Sequence, residues 1–231
     1  MREILIVPDV HGRKFWEPAL DYKGEIIFLG DYVDPYPSEG FTQANALYAL
    51  SKIVELKQQN PDRVTLLIGN HELHYYNRDF KASRFSEEYY AKYHAILTGK
   101  TTAGLFQVCR QIDNYLFIHA GITKGWYDRH DGELQALGDN LETQLNRLFL
   151  QNQEAFFEIS GERGGWHRHG SPLWADASEY VYEQEPFDKN MIQIIGHTQI
   201  YPKEILVLKN IRLIDNRNLH LLKNGKIENC V

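Results

Sequence analysis

The 231-residue sequence lacks the features that mark secreted scaffolds and membrane proteins. It contains two cysteines, Cys109 and Cys230, and its apolar runs stay far below the roughly 18 residues that a membrane span requires. So few thiols exclude a disulfide scaffold and suit a reducing compartment. The opening segment MREILIVPDVHG is apolar over too few residues to be a signal peptide. We therefore expect a soluble, cytoplasmic protein that does not bind a membrane.

The sequence also lacks an excess of basic residues. Lys and Arg number 25 against 31 Asp and Glu, a formal net charge of −6, which disfavours polymeric nucleic acid as a partner. Hydrophobic residues make up 43% of the chain, enough for one sizeable core, and no repeat or low-complexity linker divides it. We expect a single domain over residues 1–231, with a helical, aromatic-rich insertion around 80–190.

Short apolar runs rich in Ile, Leu and Val recur along the chain and end at Pro or Gly, as strands buried on both faces do. Between the second and third runs, helical spacing predicts a helix that Thr42 caps and Asn60-Pro61 ends. This βαβ pattern predicts a partly parallel sheet. The C-terminal region adds closely spaced strands and a hairpin at Asn224-Gly225. The five buried runs are EILIVP (3–8), EIIFLG (25–30), RVTLLIG (63–69), NYLFIHAG (114–121) and MIQIIGHT (191–198).

Each of these runs finishes in Asp, Asn or His beside a glycine. The carboxyl ends of parallel strands share one edge of a sheet, where ligands bind. Oxygen and imidazole donors suit Mn, Fe, Zn or Ni, and neither cysteine lies near a strand end, which excludes a thiolate site. Residues i and i+2 of an extended chain face the same side, so the first pair can reach one ion. The residues are Asp9 and His11, Asp31 and Asp34, Asn70 and His71, His119, and His197.

The blocks PDVHG, GDYVD, GNHE, HAG and GHT, in this order, resemble those of the calcineurin-like metallophosphoesterases. The likeness is greatest to the branch that holds the serine/threonine protein phosphatases and the symmetrical diadenosine tetraphosphate hydrolases. It implies an α/β fold, a four-layer α/β/β/α sandwich of mixed sheets with the metal site at the strand C-terminal ends. It also implies a dinuclear enzyme in which a metal-bridging hydroxide attacks phosphorus directly, without a protein nucleophile.

The resemblance carries the family's roles onto matching positions. Asp9 and His11 are expected to hold one ion, and Asp31 to bridge to a second. His71 is expected to act as general acid and Asp34 to orient it. The two ions are expected among Mn, Fe, Zn and Ni, with Mn favoured in vitro. The remaining ligands of the second ion are expected to be Asn70, His119 and His197.

The chain departs from the protein phosphatases after Asp34, where Pro35 replaces the arginine that binds phosphate in that family. Other cations must then hold the phosphate. The Gly-rich loop 161–170, which contains His167 and His169, is expected to face the substrate; a second surface metal cluster and a plain solvated loop are the alternatives. The candidate phosphate-binding residues are Arg13, Arg78, Arg163 and Arg168.

These observations favour a metal-dependent phosphoesterase whose partner is a phosphorylated substrate, either a phosphoprotein or a small phosphomonoester. A symmetrical dinucleotide polyphosphate hydrolase and a phosphodiesterase are the alternatives. A catalytically idle binding scaffold is disfavoured because every expected ligand is present. The physiological substrate, the native metals and the oligomeric state stay open.

Overall fold

A computed structural model describes residues 3–78, 80–202 and 204–230. The chain divides into two compact units: the first unit is formed by residues 1–107 and 217–231, and the second unit by residues 108–216. The strands are β1 (Glu3–Val7), β2 (Glu25–Phe28), β3 (Val64–Leu67), β4 (Phe106–Gln107), β5 (Cys109–Ile112), β6 (Tyr115–Ile118), β7 (Ile192–Ile195), β8 (Leu206–Leu208), β9 (Ile211–Leu213), β10 (Leu219–Lys223) and β11 (Lys226–Cys230).

Helices alternate with these strands. Short 3₁₀ turns lie at Glu17–Leu20, Pro37–Glu39, Gln153–Phe157 and Gly161–Arg163. The α-helices are α1 (Gln43–Gln59), α2 (Asn70–Tyr76), α3 (Glu87–Thr98), α4 (Lys124–Ala136), α5 (Leu141–Gln151) and α6 (Ala177–Tyr182).

The first unit contains a six-stranded mixed sheet in the order β11-β10-β1-β2-β3-β4. Strands β1 to β4 run parallel, and β10 pairs antiparallel with β1 and with β11. Helix α1 connects β2 to β3 as the βαβ pattern predicts. Its buried residues Leu50 and Ile53 join a core with Trp16, Phe28 and Tyr93. The parallel strands thus end at one edge of a buried sheet, which is where the polar blocks follow.

The second unit contains a five-stranded mixed sheet in the order β5-β6-β7-β9-β8. Strands β6, β7 and β9 run parallel, whereas β5 and β8 pair antiparallel at the edges. The fold class, mixed α/β with mixed sheets, is therefore confirmed. The five buried runs are all strands, but three lie in the sheet of the first unit and two in the sheet of the second. The single-domain interpretation stays a prediction, and the expected insertion includes β4 to β6 besides its helices.

Local signals in the sequence are borne out at two places. Thr42 caps α1 by accepting a hydrogen bond from the backbone N–H of Asn45 at 3.3 Å, and Asn60 ends the helix. Asn224 and Gly225 have φ of +52° and +75°, the left-handed backbone that a tight β10–β11 hairpin requires. Neither Cys109 nor Cys230 forms a disulfide bond.

Among the described residues, no helix has the length and apolar character needed to cross a lipid bilayer.

The stability of the fold at acidic pH is expected to depend on His74, a buried residue of α2 in the first unit. Burial lowers the pKa of His74 from the usual 6.5 to about 4. A backbone hydrogen bond with Phe80 acts in the opposite direction but is the smaller effect. Between these two values the unfolded chain binds a proton that the folded protein does not. The free energy of unfolding should therefore fall by about 3 kcal/mol as the pH drops from 6.5 to 4.

Urea unfolding of the wild-type protein and of His74→Gln, each at pH 7 and pH 4.5, measures this dependence. The variant should lose less stability than the wild-type protein over this interval. An equal loss of stability in both proteins would contradict the prediction, because it would show that protonation of His74 does not favour unfolding.

Candidate metal centre

Asp31 follows β2 and connects three segments of the first unit. Its backbone has φ of +54°, a conformation that residues other than glycine rarely adopt. Its carbonyl oxygen accepts hydrogen bonds from the N–H groups of Val10 and His11 at 3.1 and 2.7 Å. Its Oδ1 accepts a hydrogen bond from the N–H of His71 at 3.0 Å. The ends of β1, β2 and β3 are thereby joined at one side chain.

Glu72 fixes this arrangement, and sequence reasoning gave it no role although it belongs to the GNHE block. Its Oε2 accepts hydrogen bonds from the N–H groups of Asp31 and Gly69 at 2.7 and 2.9 Å. Its Oε1 accepts from Tyr32 and Val33 at 2.8 and 3.2 Å. One buried carboxylate therefore satisfies the amides of the turn after β2 and caps α2.

The two carboxylates of this region repel each other. Burial and then the charge of Asp31 raise the pKa of Glu72 to about 8, although hydrogen bonds from the backbone amides lower it. Asp9 adds a further buried carboxyl group, 1% exposed. A cation beside Asp31 offsets this repulsion, so the electrostatics of the site favour a bound metal.

Two glycines allow the loops to approach. A Cβ atom at Gly30, which has φ of +108°, would overlap the backbone of Gly69. A Cβ atom at Gly69 would overlap the carboxylate of Asp31. The glycines of the GDYVD and GNHE blocks are therefore required by the contact between the turns that carry Asp31 and His71.

His11 turns one ring nitrogen toward Asp31. Its Nδ1 lies 2.8 Å from the carbonyl oxygen of Val33, which can only accept, so Nδ1 carries a proton. Its Nε2 lies 3.3 Å from Asp31 Oδ2 and is the nitrogen that a metal ion could bind. His11, Asp31 and His71 are buried, and each offers a ligand atom within 4.8 Å of the others. Asp9, two residues before His11, and Asn70, the first residue of α2, are also buried.

His71 is held by a carboxylate on one side of its ring. Its Nδ1 lies 2.8 Å from Asp34 Oδ2, and Asp34 is fully buried. Tyr75 donates its hydroxyl hydrogen to Asp34 Oδ1 at 2.5 Å, so both carboxylate oxygens are used. Asp34 thus bonds both His71 and Tyr75, and its role in orienting His71 for catalysis stays a prediction.

The other ring nitrogen of His71 faces Arg84, a residue that sequence reasoning missed. Arg84 Nη2 lies 3.1 Å from His71 Nε2. A guanidinium group only donates, so Nε2 accepts and Nδ1 carries the proton toward Asp34. Because both nitrogens of His71 are engaged in this way, His11 is the better metal ligand of the two histidines.

The second unit brings together its two predicted ligands. His119 follows β6 and is buried, and His197 follows β7 with φ of +64°. The Nε2 of His119 and the Nδ1 of His197 lie 3.1 Å apart, and the N–H of Gly196 donates to the His119 carbonyl at 2.9 Å. The ring of Trp174 lies edge-on to His197 at a centroid distance of 6.0 Å.

The four predicted phosphate-binding arginines differ in burial and in ion-pair partners. Arg13 is 4% exposed, and its guanidinium group binds both carboxylate oxygens of Glu39 at 2.7 and 3.0 Å. Arg78 is exposed and pairs with Glu87 at 2.6 Å. In the second unit, Arg163 pairs with Asp176 and donates to Thr198, next to His197, while Arg168 is exposed.

The loop 161–170 presents an exposed tryptophan and two histidines that lie near carboxylates. Trp166 is 97% exposed. His169 Nδ1 lies 3.8 Å from Glu179 Oε2, and His167 Nδ1 lies 4.0 Å from Glu158 Oε2. In the described part of the chain, neither histidine belongs to a cluster of potential metal ligands, so a second surface metal cluster is not supported.

The fold and the potential metal-donor atoms together indicate the class of protein. Two mixed sheets carry buried Asp, Asn and His side chains directly after their parallel strands, and carboxylate oxygens with neutral imidazole nitrogens fit Mn, Fe, Zn or Ni. This is the architecture of the metallophosphoesterases. The sequence model of the calcineurin-like phosphoesterases matches residues 3–212, and the chain belongs to that family.

Curated relatives include serine/threonine phosphatases from two fungi. The phosphatase SIT4 of Candida albicans is 28% identical over 131 residues, 57% of this chain and 34% of the relative. The phosphatase sitA of Aspergillus fumigatus is 32% identical over 129 residues, 56% of this chain and 27% of the relative. The chain thus spans about a third of the length of the curated relatives it matches.

A solved structure shares the fold over almost the whole chain. The cold-active protein-tyrosine phosphatase of a psychrophilic Shewanella species superimposes with a TM-score of 0.59 at 16% identity. The match covers 99% of this chain and 80% of the Shewanella protein. At this identity the likeness concerns the fold alone.

Replacing Glu72 by Gln should destabilise the protein even without metal. Glutamine keeps one acceptor oxygen, and its NH₂ group would face backbone N–H groups that now bind a carboxylate. The expected loss is about 2–4 kcal/mol in the free energy of unfolding. Urea unfolding of chelator-treated protein measures this loss independently of metal binding.

Glu55→Gln is the matched control because Glu55 is half-exposed and pairs only with Lys52 and Gln59. It should change the stability by less than about 0.5 kcal/mol. If Glu72→Gln were no more destabilising than Glu55→Gln, the carboxylate would not hold the turns around Asp31.

Proposed function

We propose that this protein is a dinuclear metal-dependent phosphoesterase that hydrolyses a phosphomonoester, carried by a phosphoprotein or by a small molecule. The observation that carries the proposal is the buried, closely spaced group around Asp31, in which His11 Nε2 lies 3.3 Å from Asp31 Oδ2 and the proposed acid His71 lies beside both. Family membership supports the reaction class. The phosphatase relatives support a phosphorylated substrate.

Asp9 and His11 would hold one ion, and Asp31 would bridge to a second. This assignment is supported by the buried carboxylates and by the position of His11 Nε2, 3.3 Å from Asp31 Oδ2. For the second ion, Asn70, His119 and His197 are proposed from the family resemblance and from their positions directly after β3, β6 and β7. Mn, Fe, Zn and Ni all suit these donors.

Bound ions would supply Lewis acidity and a hydroxide nucleophile near neutral pH. The chain itself would supply the proton for the leaving group. His71 is the proposed general acid, because Asp34 accepts from its Nδ1 and can stabilise the imidazolium ion that forms when Nε2 is protonated. Tyr75 keeps Asp34 in place, so the imidazole ring cannot turn away from the reacting phosphate.

We propose a cytoplasmic location, because two cysteines that form no disulfide bond suit a reducing compartment.

A panel of three substrates tests the function. Mn-loaded protein should hydrolyse phenyl phosphate faster than bis(p-nitrophenyl) phosphate and faster than diadenosine tetraphosphate. Preference for the dinucleotide would make the protein a dinucleotide polyphosphate hydrolase, and preference for the diester would make it a phosphodiesterase. Absence of turnover on all three, at full metal content, would contradict the proposal.

The role of His71 is tested by the leaving group. His71→Ala should lower kcat on phenyl phosphate by about 10²–10⁴-fold, since phenolate leaves poorly without a proton. The loss should be much smaller on p-nitrophenyl phosphate, whose leaving group needs no acid. His130→Ala removes a histidine–carboxylate pair elsewhere, with Glu158 at 3.0 Å, and should leave both rates unchanged. Equal losses on both substrates would contradict the acid role.

A further inference from the structure

Arg84 lies in the loop before α3 and packs onto the candidate site of the first unit. Its Nε donates to the carbonyl oxygen of Asp34 at 3.0 Å, and its Nη2 lies 3.1 Å from His71 Nε2. Its Nη1 lies 3.3 Å from Ser83 Oγ. The guanidinium group therefore reaches the side of His71 that Asp34 does not cover.

The face of Arg84 rests on an aromatic ring. Its guanidinium carbon lies 3.7 Å from the centroid of Tyr36, a stacking contact that fixes the plane of the group. The same ring stands edge-on to His11 at 5.0 Å between centroids. Tyr36 belongs to the Pro-Tyr-Pro segment after Asp34. This segment contains no cation itself, but its tyrosine ring packs against the guanidinium group of Arg84.

The charge of Arg84 is not neutralised by a carboxylate side chain among the described residues. Its partners are a carbonyl oxygen, a hydroxyl group and a neutral ring nitrogen. Arg13 and Arg78, by contrast, pair with Glu39 and Glu87. A stacked, half-buried guanidinium group with neutral partners, next to the proposed acid, is ready to bind an anion.

We propose that Arg84, stacked on Tyr36, binds the non-bridging oxygens of the substrate phosphate and makes the site selective for dianionic phosphomonoesters over monoanionic diesters. Arg84 Nη2 contacts His71 Nε2, and a phosphate bound beside them takes over this donor and frees that nitrogen. The proposal rests on the phosphoesterase function proposed above. Arg84, not Arg13 or Arg78, then supplies the cation absent at Pro35.

Binding of inorganic phosphate to the Mn-loaded protein, measured by calorimetry, tests this without turnover. Arg84→Ala should weaken phosphate binding by about 10- to 100-fold, because two charge-assisted hydrogen bonds are lost. Arg84→Lys keeps the positive charge but not the planar guanidinium group, so its phosphate affinity should lie between those of the wild-type protein and Arg84→Ala. Metal content and thermal midpoint, measured on each variant, establish that the site is loaded and folded.

Kinetics give the second readout. Arg84→Ala should raise KM and lower kcat/KM on p-nitrophenyl phosphate by at least tenfold more than on bis(p-nitrophenyl) phosphate, which carries one charge less. Arg147→Ala is the matched control, since Arg147 is exposed on α5 and donates to the Leu137 carbonyl oxygen. It should change neither phosphate binding nor the ratio of the two rates.

The outcomes separate this proposal from the function. Unchanged phosphate binding in loaded, folded Arg84→Ala overturns the role of Arg84, whether or not the protein is an enzyme. The same holds if monoester and diester rates fall equally, or if wild-type protein binds no phosphate. Wild-type protein that binds phosphate through Arg84 and hydrolyses no phosphoester overturns only the proposed function.

Discussion

The carboxylate of Glu72 is the interaction on which the first unit's site depends. It accepts hydrogen bonds from four backbone N–H groups, those of Gly69, Asp31, Tyr32 and Val33. These amides belong to turns that leave neighbouring parallel strands and would otherwise be buried without acceptors. Holding them in one place holds Asp31 in its left-handed conformation, and Asp31 in turn fixes the backbone of His11 and His71. A single buried acceptor thereby determines where the candidate ligands lie.

The two histidines next to Asp31 have different hydrogen-bond partners and therefore different proposed roles. His11 turns its Nε2 toward Asp31, whereas His71 is bonded to Asp34 and faces Arg84. The same residue type is thus proposed as a metal ligand in one turn and as an acid in the next, because a carbonyl oxygen holds one ring and a carboxylate holds the other. The Pro-Tyr-Pro segment after Asp34 removes a family arginine and offers Tyr36 as a platform for a different one.

Much of this could be predicted from the sequence, because the signals are local. Apolar runs that end at Gly or Pro mark the buried strands, and the polar residue after each run must lie at a strand end. The roles of Glu72, Tyr75 and Arg84 were not predictable in this way. Glu72 acts through amides 39–41 residues away, and Arg84 meets Asp34 from 50 residues away. The division of the strands between two sheets was equally hidden, since pairing such as that of β1 with β10 depends on the tertiary path of the chain.

We propose that Asp31, held by Glu72, bridges two metal ions. Anomalous diffraction from crystals of Mn-loaded protein tests this bridging role. We expect two peaks per chain about 3.5–4 Å apart, with the Asp31 carboxylate within coordination distance of both. A single peak, or two peaks that Asp31 does not join, would contradict it.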